Sequence, residues 1–179
     1  MESLGVNNTR SLEMNKRVKA WIGIDPGKKG AAVLLAVENG EYVIDVFEWP
    51  KSDRPVEAYD KLSDWDLQYN IAGCFLEKVS AMPGQGVTSM FSFGMNYGAW
   101  ITLLQIITIP YELKTPQSWQ KGIIVKEDGK DKLRVRNALY RVFSPAIVNE
   151  YTKGSKGGYK DGVADALLMA YACMKGSVK

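Results

Sequence analysis

Four carboxylates stand among residues that ordinarily exclude charge. Asp25 closes the apolar run Ala20–Ile24 and Glu77 closes the run Ile71–Leu76. Asp161 and Asp165 lie one helical turn apart in a stretch whose other members, to Leu168, are Gly, Val, Ala and Leu. An ionised carboxylate near an apolar core is costly unless it is paired, capped or bound to a cation. Taken singly, most have an ordinary structural role. Asp25 can cap the Pro26-Gly27 turn, Glu77 can pair with Lys78, and Asp161 suits the N-cap of the last helix. Asp165 fits worst, lying mid-helix where no cap is needed. If the strands of Asp25 and Glu77 are neighbours and the last helix crosses their ends, all four converge. Converging carboxylates repel unless divalent cations neutralise them, and two Mg²⁺ ions about 3.5–4 Å apart suit in-line displacement at phosphorus.

Composition narrows the alternatives. The 179 residues include no histidine, which excludes a Ser-His-Asp triad, a Cys-His dyad and a His-metal nuclease motif. With two cysteines, a tight structural zinc site is excluded as well, and Cys74 and Cys173 read as small core residues. Chemistry must rest on carboxylates, lysines, hydroxyls or oxygen-ligated metals such as Mg²⁺. No unbroken apolar stretch, Ala31–Val37 included, is long enough to cross a membrane. No apolar segment of signal type stands at the N-terminus. A soluble intracellular protein without a membrane partner is expected. The net charge of +3 is unevenly spread. Residues 38–66 carry nine acidic and three basic side chains, residues 121–141 seven basic and three acidic. One region suited to a polyanion and another that is not are expected.

The elements that must position these groups follow from pattern. Residues 1–17 are polar and aperiodic and read as a flexible arm, leaving residues 18–179 as a single domain. Ala20–Ile24, Ala31–Val37 and Glu41–Phe47 read as strands, with Asn39-Gly40 as a hairpin turn. Asp53 is a candidate cap for a helix over Arg54–Gln68. Ile71–Val79 reads as a buried strand, a helix is expected from Thr88 or Ser89 to about Leu104, and Ile106–Tyr111 reads as a strand. Amphipathic spacing predicts helices over Lys130–Phe143 and Asp161–Met174. Three antiparallel strands followed by strands alternating with helices predict a mixed five-stranded α/β sheet flanked by helices.

Several segments resemble, in order and spacing, the acidic motifs of RuvC-type Holliday-junction resolvases: Gly23-Ile24-Asp25-Pro26-Gly27, Phe75-Leu76-Glu77-Lys78-Val79 and Asp161-Gly162-Val163-Ala164-Asp165-Ala166-Leu167-Leu168. Met82–Phe91 is similar to a loop of the phage branch, and Thr115-Pro116-Gln117-Ser118-Trp119-Gln120-Lys121 to its proline–tryptophan motif. The likeness spans about residues 20–175. It implies an RNase H-like fold, a homodimer, and Mg²⁺-dependent cleavage of four-way DNA junctions to 5′-phosphate and 3′-hydroxyl ends. It further implies two Mg²⁺ per active site, with Mn²⁺ as a substitute, no nucleotide cofactor, and a bacterial cytoplasm if the chain is phage-encoded. By position, Asp25, Glu77 and Asp165 would be metal ligands and Asp161 the fourth acid. The third and fourth acids are four residues apart, as in phage relatives, rather than three. Lys160 stands where many phage members have histidine and is a candidate point cation for the scissile phosphate.

Bacterial members place an aromatic wedge three residues after the glutamate, where this chain has Ser80. The Met82–Phe93 segment is the alternative, with Met82, Phe91 and Phe93 as candidates to meet unstacked bases. Lys121, Lys130, Lys132, Arg134 and Arg136 are candidate phosphate contacts. Gly94 and Gly98, one turn apart, form a small-residue row suited to a dimer interface. Three other functions compete. An actin-like ATPase or sugar kinase needs a second lobe. A non-catalytic junction-binding module leaves the four acids without a purpose. Another RNase H-fold nuclease, acting on flaps, forks or RNA–DNA hybrids, shares the metal chemistry and differs in substrate geometry.

Overall fold

A computed structural model describes residues 17–50, 52, 54–78, 80, 86–129, 133–154 and 157–176. The strands are β1 (Lys19–Asp25), β2 (Ala31–Glu38), β3 (Glu41–Glu48), β4 (Asn70–Glu77) and β5 (Tyr111–Lys114). The helices are α1 (Pro55–Gln68), α2 (Val87–Ile107), the short α3 (Pro116–Gln120), α4 (Leu133–Val142), α5 (Pro145–Thr152) and α6 (Asp161–Gly176). One sheet forms in the order β3-β2-β1-β4-β5. β1, β2 and β3 pair antiparallel, while β4 and β5 join in parallel. This is the mixed sheet flanked by helices expected from the element order. At the β2–β3 turn Asn39 and Gly40 have φ of 52° and 86°, the positive values that a two-residue hairpin turn of this kind requires.

Strand alternation sorts side chains into two cores. On one face Ala20, Ile22, Ile24, Leu34 and Leu76 pack against Leu62 and Trp65 of α1 and Trp100 and Leu104 of α2. On the other, Ala31, Val33 and Leu35 meet Val163, Ala166, Leu167 and Ala170 of α6, with Trp119, Leu139 and Phe143 closing the layer. Burying each such large aliphatic side chain contributes about 1.5–3 kcal/mol.

Several expected boundaries move. The strand expected at Ile106–Tyr111 begins only at Tyr111, because Ile106 and Ile107 complete α2. Thr108, in the left-handed conformation, stops that helix and returns its N–H to the Leu104 and Gln105 carbonyls. The β-branched pair was read by intrinsic preference, which packing overrides. α2 also starts earlier than expected, at Val87 after Gly86. Arg54 is the N-cap of α1, and the expected cap Asp53 lies outside the described residues. Of the helix expected over Lys130–Phe143, Leu133–Val142 is helical, and residues 130–132 lie outside the description, as do residues 1–16 of the expected arm. α3 and α5 were not anticipated. Both begin on a hydroxyl cap followed by proline, Thr115-Pro116 and Ser144-Pro145, a legible helix-start signal. Cys74 and Cys173 are buried free thiols, as expected. Among the described residues no helix is long and apolar enough to cross a membrane.

α6 and β1 approach each other backbone to backbone. A Cβ on Gly23 would stand 2.0 Å from the Ala166 carbonyl oxygen and 2.4 Å from the Ala170 nitrogen. Neither backbone atom can yield as a flexible side chain would. Gly23→Ala is therefore expected to destabilise the protein by about 3 kcal/mol or more, read as a lower urea midpoint, whereas Gly98→Ala, with nothing within 4 Å of its Cβ position, should be destabilised by less than about 1 kcal/mol.

Candidate active site

β1 and β4 run parallel side by side, with Ile24 opposite Leu76, so Asp25 and Glu77 leave the sheet at the same level. By alternation both belong to the face that α6 covers, along with Gly23 and Phe75. α6 begins against the turn after β1, where Gly162 leaves no room for a side chain: a Cβ there would lie 2.3 Å from the Lys29 carbonyl and 3.0 Å from Asp25 Oδ2. One turn further, Asp165 is partly buried. Among the acids, the charge of Asp25 acts on Glu77, and those of Asp25, Glu77 and Asp161 act on Asp165. Asp161 is exposed. It is the first residue of α6 rather than the residue before it, and no capping bond from its side chain is found among the described residues.

Burial is the main cause that raises the proton affinity of all three inner acids. For Asp25 it is partly offset by the Gly27 backbone N–H, which donates to Oδ1 at 2.9 Å. For Glu77 it is offset by a hydrogen bond from Trp119 and reinforced by the charge of Asp25. Asp165 is pushed up to about 7 by burial and then by the charges of Asp25, Glu77 and Asp161, with Arg134 opposing. Ionising all three together is unfavourable without a compensating cation. The donors are carboxylate oxygens alone, which is the chemistry of a hard divalent ion such as Mg²⁺. Among the described residues no group of three or more Asp, Glu, Cys or His side chains lies close enough to grip one ion. The chemistry fits such a cation, and the ligands stand apart from one another.

Two cavities flank the acids. One, of about 210 Å³, is lined by Val135, Tyr159, Asp161 and Asp165. The other, of about 570 Å³, includes Asp25, Lys28, Lys29, Glu48, Tyr159 and Lys160 in its wall. Lys160 lines this cavity, but its ammonium is held by Glu48 at 2.5 Å. An ammonium has three donors, so this ion pair leaves two N–H groups for other acceptors. Lys28 and Lys29 are exposed cations on a turn tied to Asp25 through the Gly27 N–H and closed by the Gly30 N–H to the Gly27 carbonyl at 2.8 Å. These lysines were not among the expected contacts. Their signal was the spacing Asp25-Pro26-Gly27-Lys28-Lys29-Gly30, which puts two cations directly after the first acid.

The other expected contacts divide. Arg134 is exposed and close enough to act on Asp165. Arg136 stacks between Tyr140 and Tyr159, its guanidinium carbon 5.8 and 5.4 Å from the two rings. Lys121 is exposed at the start of a turn through Gly122. The following loop is anchored by Arg141, which donates to both Asp128 carboxylate oxygens at 3.0 and 2.9 Å. Lys130, Lys132 and Met82 lie outside the described residues. Phe91 is exposed and Phe93 half-buried on α2, so only Phe91 stands free of the core. Gly94 and Gly98 face open space. Trp119, buried, donates its indole N–H to Glu77 Oε1 at 2.9 Å. The expectation that Glu77 pairs with Lys78 is not met by any ion pair among the described residues.

No protein-family model and no curated protein matches the chain. Among solved structures it is similar to T. thermophilus RuvC in complex with Holliday junction substrate, at 16% identity and a TM-score of 0.52 over 86% of this chain and 91% of that one. It is also similar to the yeast mitochondrial Holliday junction resolvase, at 16% identity and a TM-score of 0.57 over 90% and 80%. At that identity the likeness establishes the fold. The protein is an RNase H-like α/β domain whose architecture resembles that of Holliday-junction resolvases.

The position of Asp165 sets a pH dependence. Its proton is held more tightly in the folded chain than in the unfolded one, so its ionisation opposes folding. That penalty is absent below the unfolded carboxylate range near pH 4 and fully present above about 7. In the absence of divalent metal, Asp165→Asn is expected to raise stability at pH 8 by roughly 2–4 kcal/mol and to change it little at pH 4. Urea melts at the two pH values check this, and an equal effect at both would contradict it.

Proposed function

We propose that the protein is a Mg²⁺-dependent structure-specific endodeoxyribonuclease that resolves four-way DNA junctions by paired nicks in opposed strands. The observation that carries this reading is the placing of Asp25 and Glu77 at the ends of neighbouring strands with their charges acting on Asp165 of α6, beside a cavity walled partly by lysines. Fold alone does not specify function. Partly buried carboxylates whose ionisation is unfavourable without a cation are a feature that a cation-dependent site requires.

In this reading Asp25, Glu77 and Asp165 hold the cations, and Asp161 adds a fourth carboxylate at the cavity rim. A bound divalent ion supplies activation of a water molecule and neutralises charge on the scissile phosphate. The chain's own groups place the strand. Lys28 and Lys29 contact phosphate on the side of Asp25, and Arg134 and Lys121 extend the cationic surface on the other side. Water oxygen bonds to phosphorus, the bond from phosphorus to O3′ breaks, and O3′ takes up a proton. The products are a 5′-phosphate and a 3′-hydroxyl.

Two opposed strands require two sites, and a C₂ homodimer provides them. α2 is the proposed interface. None of its 21 residues is charged, and Val87, Phe91, Met95 and Ile106 are exposed along it. Gly94 and Gly98 add a strip where a second backbone can approach.

Three outcomes are expected. With Mg²⁺ the wild type should cut a four-way junction at least about tenfold faster than a flap or an RNA–DNA hybrid. Asp25→Asn, Glu77→Gln and Asp165→Asn should each lower cleavage by roughly 10³-fold or more while leaving junction binding in place, since each removes a ligand charge and little volume. Faster cleavage of hybrid or flap would favour another RNase H-fold nuclease. Gly98→Leu should weaken self-association by about tenfold or more in sedimentation equilibrium and uncouple the two nicks. A monomer that cuts both strands in step would contradict the dimer.

A further inference from the structure

We infer that Trp119 is a positioning residue for Glu77, holding one carboxylate oxygen so that the other is presented to a divalent cation. The inference rests on the nuclease reading for its purpose and on the chain's own geometry for its content.

Chain order explains how the indole arrives. β5 lies parallel to β4 with Lys114 opposite Glu77, so the chain leaves β5 beside the carboxylate. Thr115 then caps α3, accepting from the Ser118 N–H, and Pro116 occupies its first turn. Within five residues the chain has doubled back and Trp119 reaches the end of β4. The ring is 2% exposed and belongs to the same packed layer as Val163, Ala166 and Leu167 of α6. It is therefore held between the element that carries Glu77 and the helix that carries Asp165.

An indole N–H can only donate. It therefore favours the ionised carboxylate, and it occupies Oε1 at 2.9 Å. Among the described residues Oε2 has no hydrogen-bond partner. Need for a partner does not by itself account for the bond, because the fold accepts another buried indole without one: the Trp21 Nε1 has no partner among the described residues. An immobile donor on one oxygen fixes the carboxylate plane, as hydrogen bonds to ligating carboxylates do in metal sites generally, where losing such a partner weakens metal binding about 10–100-fold.

The test is a Mg²⁺ titration of the full chain followed by melting temperature, alongside the Mg²⁺ dependence of junction cleavage. Trp119→Phe removes the N–H and part of the buried ring system, so packing loss alone lowers the metal-free melting temperature. The positioning role is read in the half-saturating Mg²⁺ concentration, which should rise about tenfold in both readouts. A role in packing alone would leave half-saturation where it was. In a Glu77→Gln background, Trp119→Phe should cause no further shift, since the residue acts through the carboxylate. Unchanged half-saturation in Trp119→Phe overturns the inference, as does an equal further shift in the Glu77→Gln background. If the Phe variant does not fold, the Trp119 indole N–H resonance of the ¹⁵N-labelled wild type decides. It must move on addition of Mg²⁺, and an unmoved signal overturns the inference. A wild type that binds Mg²⁺ but cuts no branched DNA would sink the nuclease reading and leave the role of Trp119 standing, whereas melting indifferent to Mg²⁺ overturns both.

Discussion

The approach of α6 to β1 is the constraint on which the site depends. Gly23 and Gly162 are the two places where backbone meets backbone. At Gly23 the helix axis is pressed onto the central strand, and at Gly162 the first turn of the helix is pressed onto the turn that follows Asp25. Helix and sheet ordinarily stand about 10 Å apart, separated by interleaved side chains. Removing those side chains at two points lets a helix reach the level where β1 and β4 end. Asp165 joins Asp25 and Glu77 for that reason. Neither glycine is needed for a positive φ. Both are small because another chain segment occupies the space.

What this proximity costs is electrostatic. Three partly buried acids lie in one another's field, and Asp165 bears most of the penalty. The same fold meets its other charges differently. Asp45 accepts from Lys61 at 2.6 Å and from the Trp65 indole at 2.8 Å, and Asp128 is gripped by Arg141 and by the Val125 N–H. These carboxylates are held below the usual range, Asp45 by hydrogen bonds from Lys61 and Trp65 that outweigh its burial and Asp128 chiefly by Arg141. The chain neutralises Asp45 and Asp128 with cations, whereas Asp25, Glu77 and Asp165 have no ion pair among the described residues. Glu77 is intermediate, since its one fixed partner is a neutral donor.

The acids and the order of the strands were legible before any coordinates. Asp25 and Glu77 announce themselves by ending apolar runs, and Asp165 by interrupting an apolar helix. Asn39-Gly40 marks its turn. Harder to read were Ile106 and Ile107, which intrinsic preference assigns to a strand and α2 claims as its last turn. Lys160 illustrates a different limit. It is a candidate cation because it stands where phage members have histidine, and its partner Glu48, 112 residues earlier in the chain, is visible only in the fold. Lys28 and Lys29 were visible as residues, but only the cavity they share with Asp25 gives them meaning.

By itself the sequence determined which chemistry is open to this protein. With no histidine and two buried cysteines, only oxygen ligands and lysines remain, and apolar alternation dictates which carboxylates end up on the same face of the sheet. These are local properties of residue type and period. Which groups meet was decided by tertiary structure alone. The parallel register sets Asp25 beside Glu77, the short return of α3 lays Trp119 on Glu77, and Glu48 pairs with Lys160. Each of these, the pairing of Lys160 with Glu48 included, joins residues far apart in the chain or depends on the turn between two elements. Their energies come from packing and desolvation in the assembled fold, which no local spacing encodes.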